Sequence, residues 1–153
     1  MKLYTWTNAA FIAALAFAGS PAFADNCTGE FKNMMAAGDA LPSSGGQKVS
    51  WFTLTSDVTS SDTGYNGSGQ CVGYVREMPD GKALVSNTCI LATAEGDVWG
   101  FTGMQEGGSN KGKWVTTHGT GKFAKNAGSS GWYENVTADE KGSVGKWGGN
   151  CVN

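Results

Sequence analysis

Residues 71–89 read CVGYVREMPDGKALVSNTC, and this stretch decides the fold. Pro79-Asp80-Gly81 forms a three-residue hairpin loop, because proline presets φ at its first position and glycine accepts a positive φ at its last. Counting outward along both strands from this loop brings Cys71 directly opposite Cys89. Directly opposed strand residues have Cβ atoms close enough for a disulfide bond. The turn and the cysteines therefore predict one register, a two-stranded ribbon closed by a Cys71–Cys89 bond.

The two remaining cysteines, Cys27 and Cys151, then form the second pair. Their bond would join the two ends of the folded chain, which suits a barrel whose first and last strands meet. A zinc site is the alternative, but the sequence has no Cys-x-x-Cys pair and only one histidine. We therefore predict two disulfides and no metal site, and we expect no cofactor.

Residues 1–24 have the three parts of a secretory signal peptide. Lys2 supplies a positive charge, residues 9–18 form an apolar run, and Ala22-Phe23-Ala24 provides small residues at the cleavage positions. The apolar run is about half the ~20 residues that a membrane-spanning helix needs, so membrane insertion is not expected. We predict cleavage before Asp25, a barrel domain over residues 25–153, and export to the periplasm or the cell exterior.

The remaining sequence alternates short runs of β-forming residues with turns rich in Gly, Ser, Asn and Asp. It has 24 glycines and only three prolines, which favours tight turns and bulges over disorder. Seven or eight strands can be counted. This pattern predicts an all-β fold, a single antiparallel eight-stranded β-barrel of the calycin type.

Two segments have two interpretations each. Residues 25–42 form either a short helix that plugs the barrel or a loose arm held by Cys27. The helix is suggested by the spacing of Phe31, Met34 and Met35. Residues 56–69 predict either a loop that overhangs the barrel mouth or a flexible connection.

A family resemblance lies in the run Gly119-Thr120-Gly121-Lys122-Phe123-Ala124, followed by Ala127-Gly128 and Gly131. It resembles the Gly-Thr-Gly-x-Phe … Ala-x-Gly segment of the allene oxide cyclase and dirigent barrels. The resemblance implies an eight-stranded antiparallel calycin-type barrel and, by analogy, cyclase or isomerase chemistry. The two predicted disulfides depart from those families. No position matches their catalytic residues, so no catalytic residue is assigned.

Aromatic side chains are the main candidates for ligand contact. Five predicted strands carry one tryptophan each: Trp51, Trp99, Trp114, Trp132 and Trp147. An eight-stranded barrel can hold one small ligand, or its interior can be filled by side chains alone. Because residues two apart share a strand face, we select Trp99 with Phe101 as one part of a cavity wall.

Trp132 and Glu134 are the second candidate part of the wall. On an apolar inner face the pKa of Glu134 would rise, which would make this residue a candidate acid or base. In the alternative, Tyr133 and Asn135 point inward and Glu134 lies in solvent.

Tyr74 and Arg76 are the third candidate pair. Pointing inward, they offer a phenol and a cation to an anionic or carbonyl group; pointing outward, they form a surface patch, and the interior receives Cys71, Gly73, Val75 and Asn87. His118, the only histidine, is interpreted as a partly exposed structural residue.

The net charge and its distribution limit the classes of binding partner that are expected. The sequence has 11 basic and 13 acidic residues, a net charge of −2, and no run of like charge. Nucleic acid and anionic membrane surfaces are therefore not expected partners. A small apolar ligand is the partner that the aromatic strands favour. Neither an oligomeric state nor an enzymatic activity follows from the sequence.

Three function classes remain: a small-molecule-binding barrel for an apolar or aromatic ligand, a barrel cyclase or isomerase acting on a small apolar substrate, and a structural or interaction protein of the cell envelope. The polarity of the barrel interior distinguishes these three classes. Carboxylates or a tyrosine deep in an aromatic cavity favour the enzyme, an apolar cavity favours binding, and a filled interior favours the structural role.

Overall fold

The structure, a computed structural model, describes residues 26–41, 45–60 and 64–151. Its strands are β1 Cys27–Leu41, β2 Lys48–Thr59, β3 Gly67–Glu77, β4 Ala83–Ala92, β5 Val98–Glu106, β6 Lys111–Gly119, β7 Ser130–Asp139 and β8 Gly142–Asn150. Each strand pairs antiparallel with the next, and β8 pairs with β1, so the sheet closes. The predicted eight-stranded antiparallel barrel is confirmed. The predicted signal peptide lies outside the described residues.

Both predicted disulfides are present. Cys71 and Cys89 are direct partners in the β3–β4 register, and their Cα atoms are 4.0 Å apart. Cys27 opens β1 and bonds to Cys151, which follows β8, with a Cα–Cα distance of 5.8 Å. Gly81 has the positive φ, 82°, that the hairpin loop requires. The register derived from turn chemistry is therefore the observed register of the β3–β4 pair.

The N-terminal segment forms β1, so both the predicted helix and the predicted loose arm are wrong. Phe31 and Met35 are four residues apart, a spacing that places two side chains on one face of a helix and also of a strand. In the barrel Phe31, Asn33 and Met35 all line the interior. A polar residue between two apolar ones on the inner face hid the strand periodicity.

The predicted loop 56–69 is shorter than expected, because β2 runs to Thr59 and β3 starts at Gly67. Its Tyr65 is buried under the barrel, where its ring centroid lies 5.6 Å from that of Trp99. Tyr65 therefore covers one end of the barrel, in agreement with the alternative in which this segment overhangs the barrel mouth. Polar and glycine residues at the strand ends had made these strands resemble a loop.

A second connection helps to close the same end. A 3-10 turn at Gly121–Phe123, between β6 and β7, carries Phe123, which is 1% exposed. Gly121 has a positive φ of 52°, and a side chain at Gly119 would overlap the Phe123 carbonyl, so this reversal needs glycine at both positions. The Asn126 amide donates a hydrogen bond to the Tyr65 hydroxyl and joins the two connections.

Helices play little part in the described residues. Within these ranges, no helix is both long and apolar enough to cross a membrane.

Candidate functional site

The barrel interior contains a cavity of about 400 Å³, within the ~300–1,000 Å³ range of small-molecule sites. Tyr65 and Phe123 close the barrel at one end. At the opposite rim, Met35 and Asp139 line the cavity and are exposed. The cavity therefore reaches solvent at this rim, and the interior is not filled by side chains.

The closed end of the cavity is aromatic. Its floor, named here the aromatic floor, consists of Tyr65, Trp99, Trp114 and Trp147. The Trp114 and Trp147 rings meet edge to face, with centroids 6.0 Å apart and an interplanar angle of 81°. Tyr65 and Trp147 meet in a similar way at 5.8 Å. These contacts hold the rings in place, so a flat apolar ligand meets a preformed surface.

Carboxamides line the part of the cavity nearer the rim. This amide band consists of Asn33, Asn87, Gln105 and Asn135. Asn135 Nδ2 donates to Gln105 Oε1 at 3.0 Å, and Asn33 Nδ2 donates to Ser143 Oγ at 3.2 Å. Each carboxamide has two donor hydrogens and an acceptor oxygen, so these bonds orient the groups and leave capacity for a ligand.

Tyr133 lies between the aromatic floor and the amide band. Its ring covers Gly112, where a side chain would overlap the hydroxyl, and meets Phe31 edge to face at 6.2 Å. Burial raises the pKa of Tyr133 to about 12, because the charged phenolate is disfavoured away from water. The described residues provide no hydrogen bond to its hydroxyl. The cavity therefore contains a neutral phenol that keeps its proton at physiological pH.

Charge is sparse in the cavity. Among the described lining residues only Asp139, at the rim, carries a charge. Its carboxylate accepts hydrogen bonds from the backbone N–H groups of Lys141 and Gly142, at 2.8 and 3.1 Å. In the same described ranges, no group of three His, Cys, Asp or Glu side chains is placed to hold a metal. The cavity favours an uncharged molecule.

His118 lies outside the cavity. It is exposed, its Nδ1 is 3.1 Å from Thr117 Oγ1, and its ring packs over Gly100. Nothing in this position connects it to the ligand site.

Two of the selected site residues, Trp99 and Phe101, lie on the cavity wall. Trp99 is part of the aromatic floor, and Phe101 continues the wall next to it on β5. That they bind a ligand remains a prediction.

Trp132 and Glu134 face outward, contrary to their proposed inward placement. Trp132 is 39% exposed, and Glu134 pairs with Lys111 at 3.8 Å. The alternative, with Tyr133 and Asn135 inward, is the arrangement observed. The close packing at Gly131 explains this orientation: an added Cβ would overlap the backbone of Gly148 and Gly149 and lie 2.8 Å from the Trp114 ring. Only a glycine at 131 leaves this space, and its inward position turns Trp132 outward.

Tyr74 and Arg76 also face outward. Tyr74 is 41% exposed and opposes Trp51 on the outer surface. The inner face of β3 carries Cys71, Gly73 and Val75, as the alternative interpretation had it. The Phe52 ring lies against Gly73, 2.5 Å from the position of an added Cβ, which fixes this orientation.

The amide band was not predicted as a group. Asn87 and Asn135 were named in the sequence analysis only as inward-facing residues of alternative interpretations, and Asn33 and Gln105 were not considered there. Glycines mark the inner faces of four strands: Gly73 on β3, Gly103 on β5, Gly131 on β7 and Gly145 on β8 each lie against a side chain of another strand.

Comparison with known proteins adds information on the fold. No family model matches the chain, and no curated protein matches it. Among solved structures it is similar to an enzyme from Penicillium herquei, with a TM-score of 0.61 and 12% identity, over 86% of this chain and 99% of that one. At this identity the similarity concerns the fold alone, a closed eight-stranded antiparallel barrel.

Proposed function

We propose that the protein is an exported small-molecule-binding barrel whose ligand is largely apolar or aromatic. The observation that carries this proposal is the open cavity of about 400 Å³ above the aromatic floor. Water in such a space has few hydrogen-bonding partners on the apolar wall. A ligand that displaces this water and covers the rings is therefore favoured by the hydrophobic effect. An unfilled interior gives the purely structural role less support.

Phe101→Ala is expected to weaken binding of the neutral probe N-phenyl-1-naphthylamine about tenfold, since one aromatic wall contact contributes roughly 1–3 kcal/mol. Probe fluorescence during titration gives the affinity. Trp132→Ala is the matched control, because it removes a larger aromatic ring from the outer surface. Equal losses in both variants, or no probe binding by the folded parent protein, would contradict the proposal.

A barrel cyclase or isomerase is the second candidate. Tyr133 favours it, because a buried neutral phenol in an aromatic cavity can donate a proton or a hydrogen bond to a reacting oxygen. The similar solved structure is described as an enzyme, and the Gly119–Phe123 segment resembles that of allene oxide cyclase and dirigent barrels. On these two grounds, we also propose that the protein is related to the allene oxide cyclase and dirigent barrels.

One experiment separates the two candidates. Native mass spectrometry of the protein purified from its source identifies a bound molecule, which is then incubated with fresh protein. A product of unchanged mass and altered chromatographic retention supports an isomerase or cyclase. Recovery of the unaltered molecule supports binding alone.

Export is the remaining part of the proposal. The two disulfides are consistent with an oxidising compartment. We expect the protein recovered from the periplasm or the medium to have the mass of a chain that begins at Asp25. A recovered chain that still begins at Met1 would contradict the predicted cleavage.

A further inference from the structure

We propose that the cavity selects flat aromatic molecules that carry a neutral hydrogen-bond donor, N–H or O–H, and that the Asn135 carboxamide oxygen accepts this hydrogen. The inference rests on the proposed binding function and names the ligand class for the same cavity. The hydrogen bonds within the amide band determine which of its polar atoms remain for a ligand.

The turn between β5 and β6 fixes the orientation of two carboxamides. Gln105 Nε2 donates a hydrogen bond to the backbone carbonyl of Ser109. A carbonyl oxygen can only accept, so the nitrogen of the Gln105 carboxamide lies on this side and its oxygen Oε1 on the other. That oxygen requires a donor in turn, and Asn135 Nδ2 provides one at 3.0 Å. The backbone of the turn therefore determines the direction of both side-chain amides.

Asn135 is held by its own backbone as well. Its N–H donates to the carbonyl of Asn110, in the same turn, at 2.7 Å. With the backbone and Nδ2 both fixed, Oδ1 occupies the other branch of the planar carboxamide, directed away from Gln105. Asn135 lines the cavity, and no described residue donates a hydrogen bond to its Oδ1. This oxygen is therefore a fixed acceptor that a ligand can use.

Asn87 has the same polarity on another strand. Its Nδ2 is 3.8 Å from Cys89 Sγ, and a disulfide sulfur can accept a hydrogen but has none to donate. The nitrogen thus lies toward the sulfur, and Oδ1 lies over Gly103, where an added Cβ would overlap it. The Tyr133 hydroxyl, over Gly112, can accept as well as donate and does not oppose this polarity. The interior therefore presents amide oxygens above the aromatic floor.

A ligand with one N–H or O–H group fits this arrangement. Its hydrogen bond to Asn135 replaces the one that the group loses to water, while its aromatic body covers the aromatic floor. A ligand without a donor displaces water from the Asn135 oxygen and leaves this oxygen without a partner, which costs free energy. We therefore expect the cavity to discriminate between molecules of the same shape by the presence of a donor.

Three flat tricyclic compounds of similar size test the inference: carbazole has an N–H donor, dibenzofuran has none, and 9-fluorenone has a carbonyl acceptor instead. Equilibrium dialysis gives their affinities directly. We expect carbazole to bind the parent protein about five- to tenfold more tightly than dibenzofuran, the scale of one neutral hydrogen bond. We expect 9-fluorenone to have no advantage over dibenzofuran.

Substitutions assign this preference to Asn135. Asn135→Leu alone would free the Gln105 oxygen to act as acceptor, so the test combines Asn135→Leu with Gln105→Leu, and the preference for carbazole should fall below about twofold. Gln105→Leu alone should keep the preference, because the Asn135 oxygen remains. Asn110→Leu makes the same kind of change where the side chain bonds to Glu134 outside the cavity, and it should change nothing. Thermal unfolding checks each variant, and alanine replaces any leucine that prevents folding.

The outcomes distinguish the two proposals. A preference for carbazole that persists in Gln105→Leu and Asn110→Leu and is lost in the double variant supports the inference. No preference in the parent protein, tightest binding of 9-fluorenone, survival of the preference in the double variant, or its loss in either single variant overturns the inference and leaves the binding function standing. If the folded parent protein binds none of the three compounds and no N-phenyl-1-naphthylamine, the inference and the proposed function both fall.

Discussion

Replacing Trp99 by alanine is expected to lower the free energy of unfolding by about 3–5 kcal/mol, the scale of a buried large-to-small substitution. Trp99 is 3% exposed, and its ring centroid lies 4.7 Å from that of Phe123 and 5.6 Å from that of Tyr65. Both neighbours come from connections that close the barrel end. A shared hydrogen bond ties these connections together, so they cannot collapse freely into the space that the indole leaves.

Trp132→Ala is the matched control and is expected to cost only about 1 kcal/mol, because much of this ring already lies in solvent. Urea unfolding followed by far-UV circular dichroism measures both variants without depending on tryptophan emission. Comparable losses would show that Trp132 packs inside the barrel, and the orientation of β7 described above would then be wrong.

Local chemistry explains why much of the fold was predictable. The Pro79-Asp80-Gly81 loop and the two cysteines of the hairpin are close in sequence, and each independently specifies the same pairing. The pairing of Cys27 with Cys151 then follows by elimination. Turn signals between short apolar runs predict the strand number for the same reason, since each signal acts on its own neighbours.

The inner face of each strand was harder to predict. Side chains alternate between the two faces of β3 and of β7, so either alternate set could face the interior. A tertiary contact determines which set does. On β7 Gly131 lies against the backbone of Gly148 and the ring of Trp114, and on β3 Gly73 lies against the ring of Phe52. These partners are about 17 to 21 residues apart in sequence, so the local pattern carries no direct record of which pair will meet.

The candidate site was least predictable where it is polar. Asn33 on β1 and Gln105 on β5 point inward, against the usual apolar-in alternation, because they line a cavity and not a packed core. Such departures from pattern are expected at functional sites. An inward asparagine looks like a surface residue in the sequence, and β1 was for this reason taken for a helix or an arm.

Removing the Cys27–Cys151 bond is expected to destabilise the protein more than removing Cys71–Cys89. The sequence separations are 124 and 18 residues, for which the loss of loop-closure entropy in the unfolded chain predicts about 5 and about 3 kcal/mol. The structure adds a second reason. Cys71 and Cys89 join strands that their hairpin already pairs, whereas Cys27 and Cys151 join the chain ends where the barrel closes.

Paired alanine substitutions, Cys27→Ala with Cys151→Ala and Cys71→Ala with Cys89→Ala, allow both bonds to be compared by denaturant unfolding. Asn26 contributes to the closure as well: its side chain makes two hydrogen bonds of 2.7 Å with the Cys151 backbone. These can persist without the disulfide and reduce the cost of losing it. A larger loss for the Cys71–Cys89 pair would contradict the entropic argument. It would instead assign the main contribution to packing, because Cys89 lines the cavity and its truncation removes sulfur from the wall.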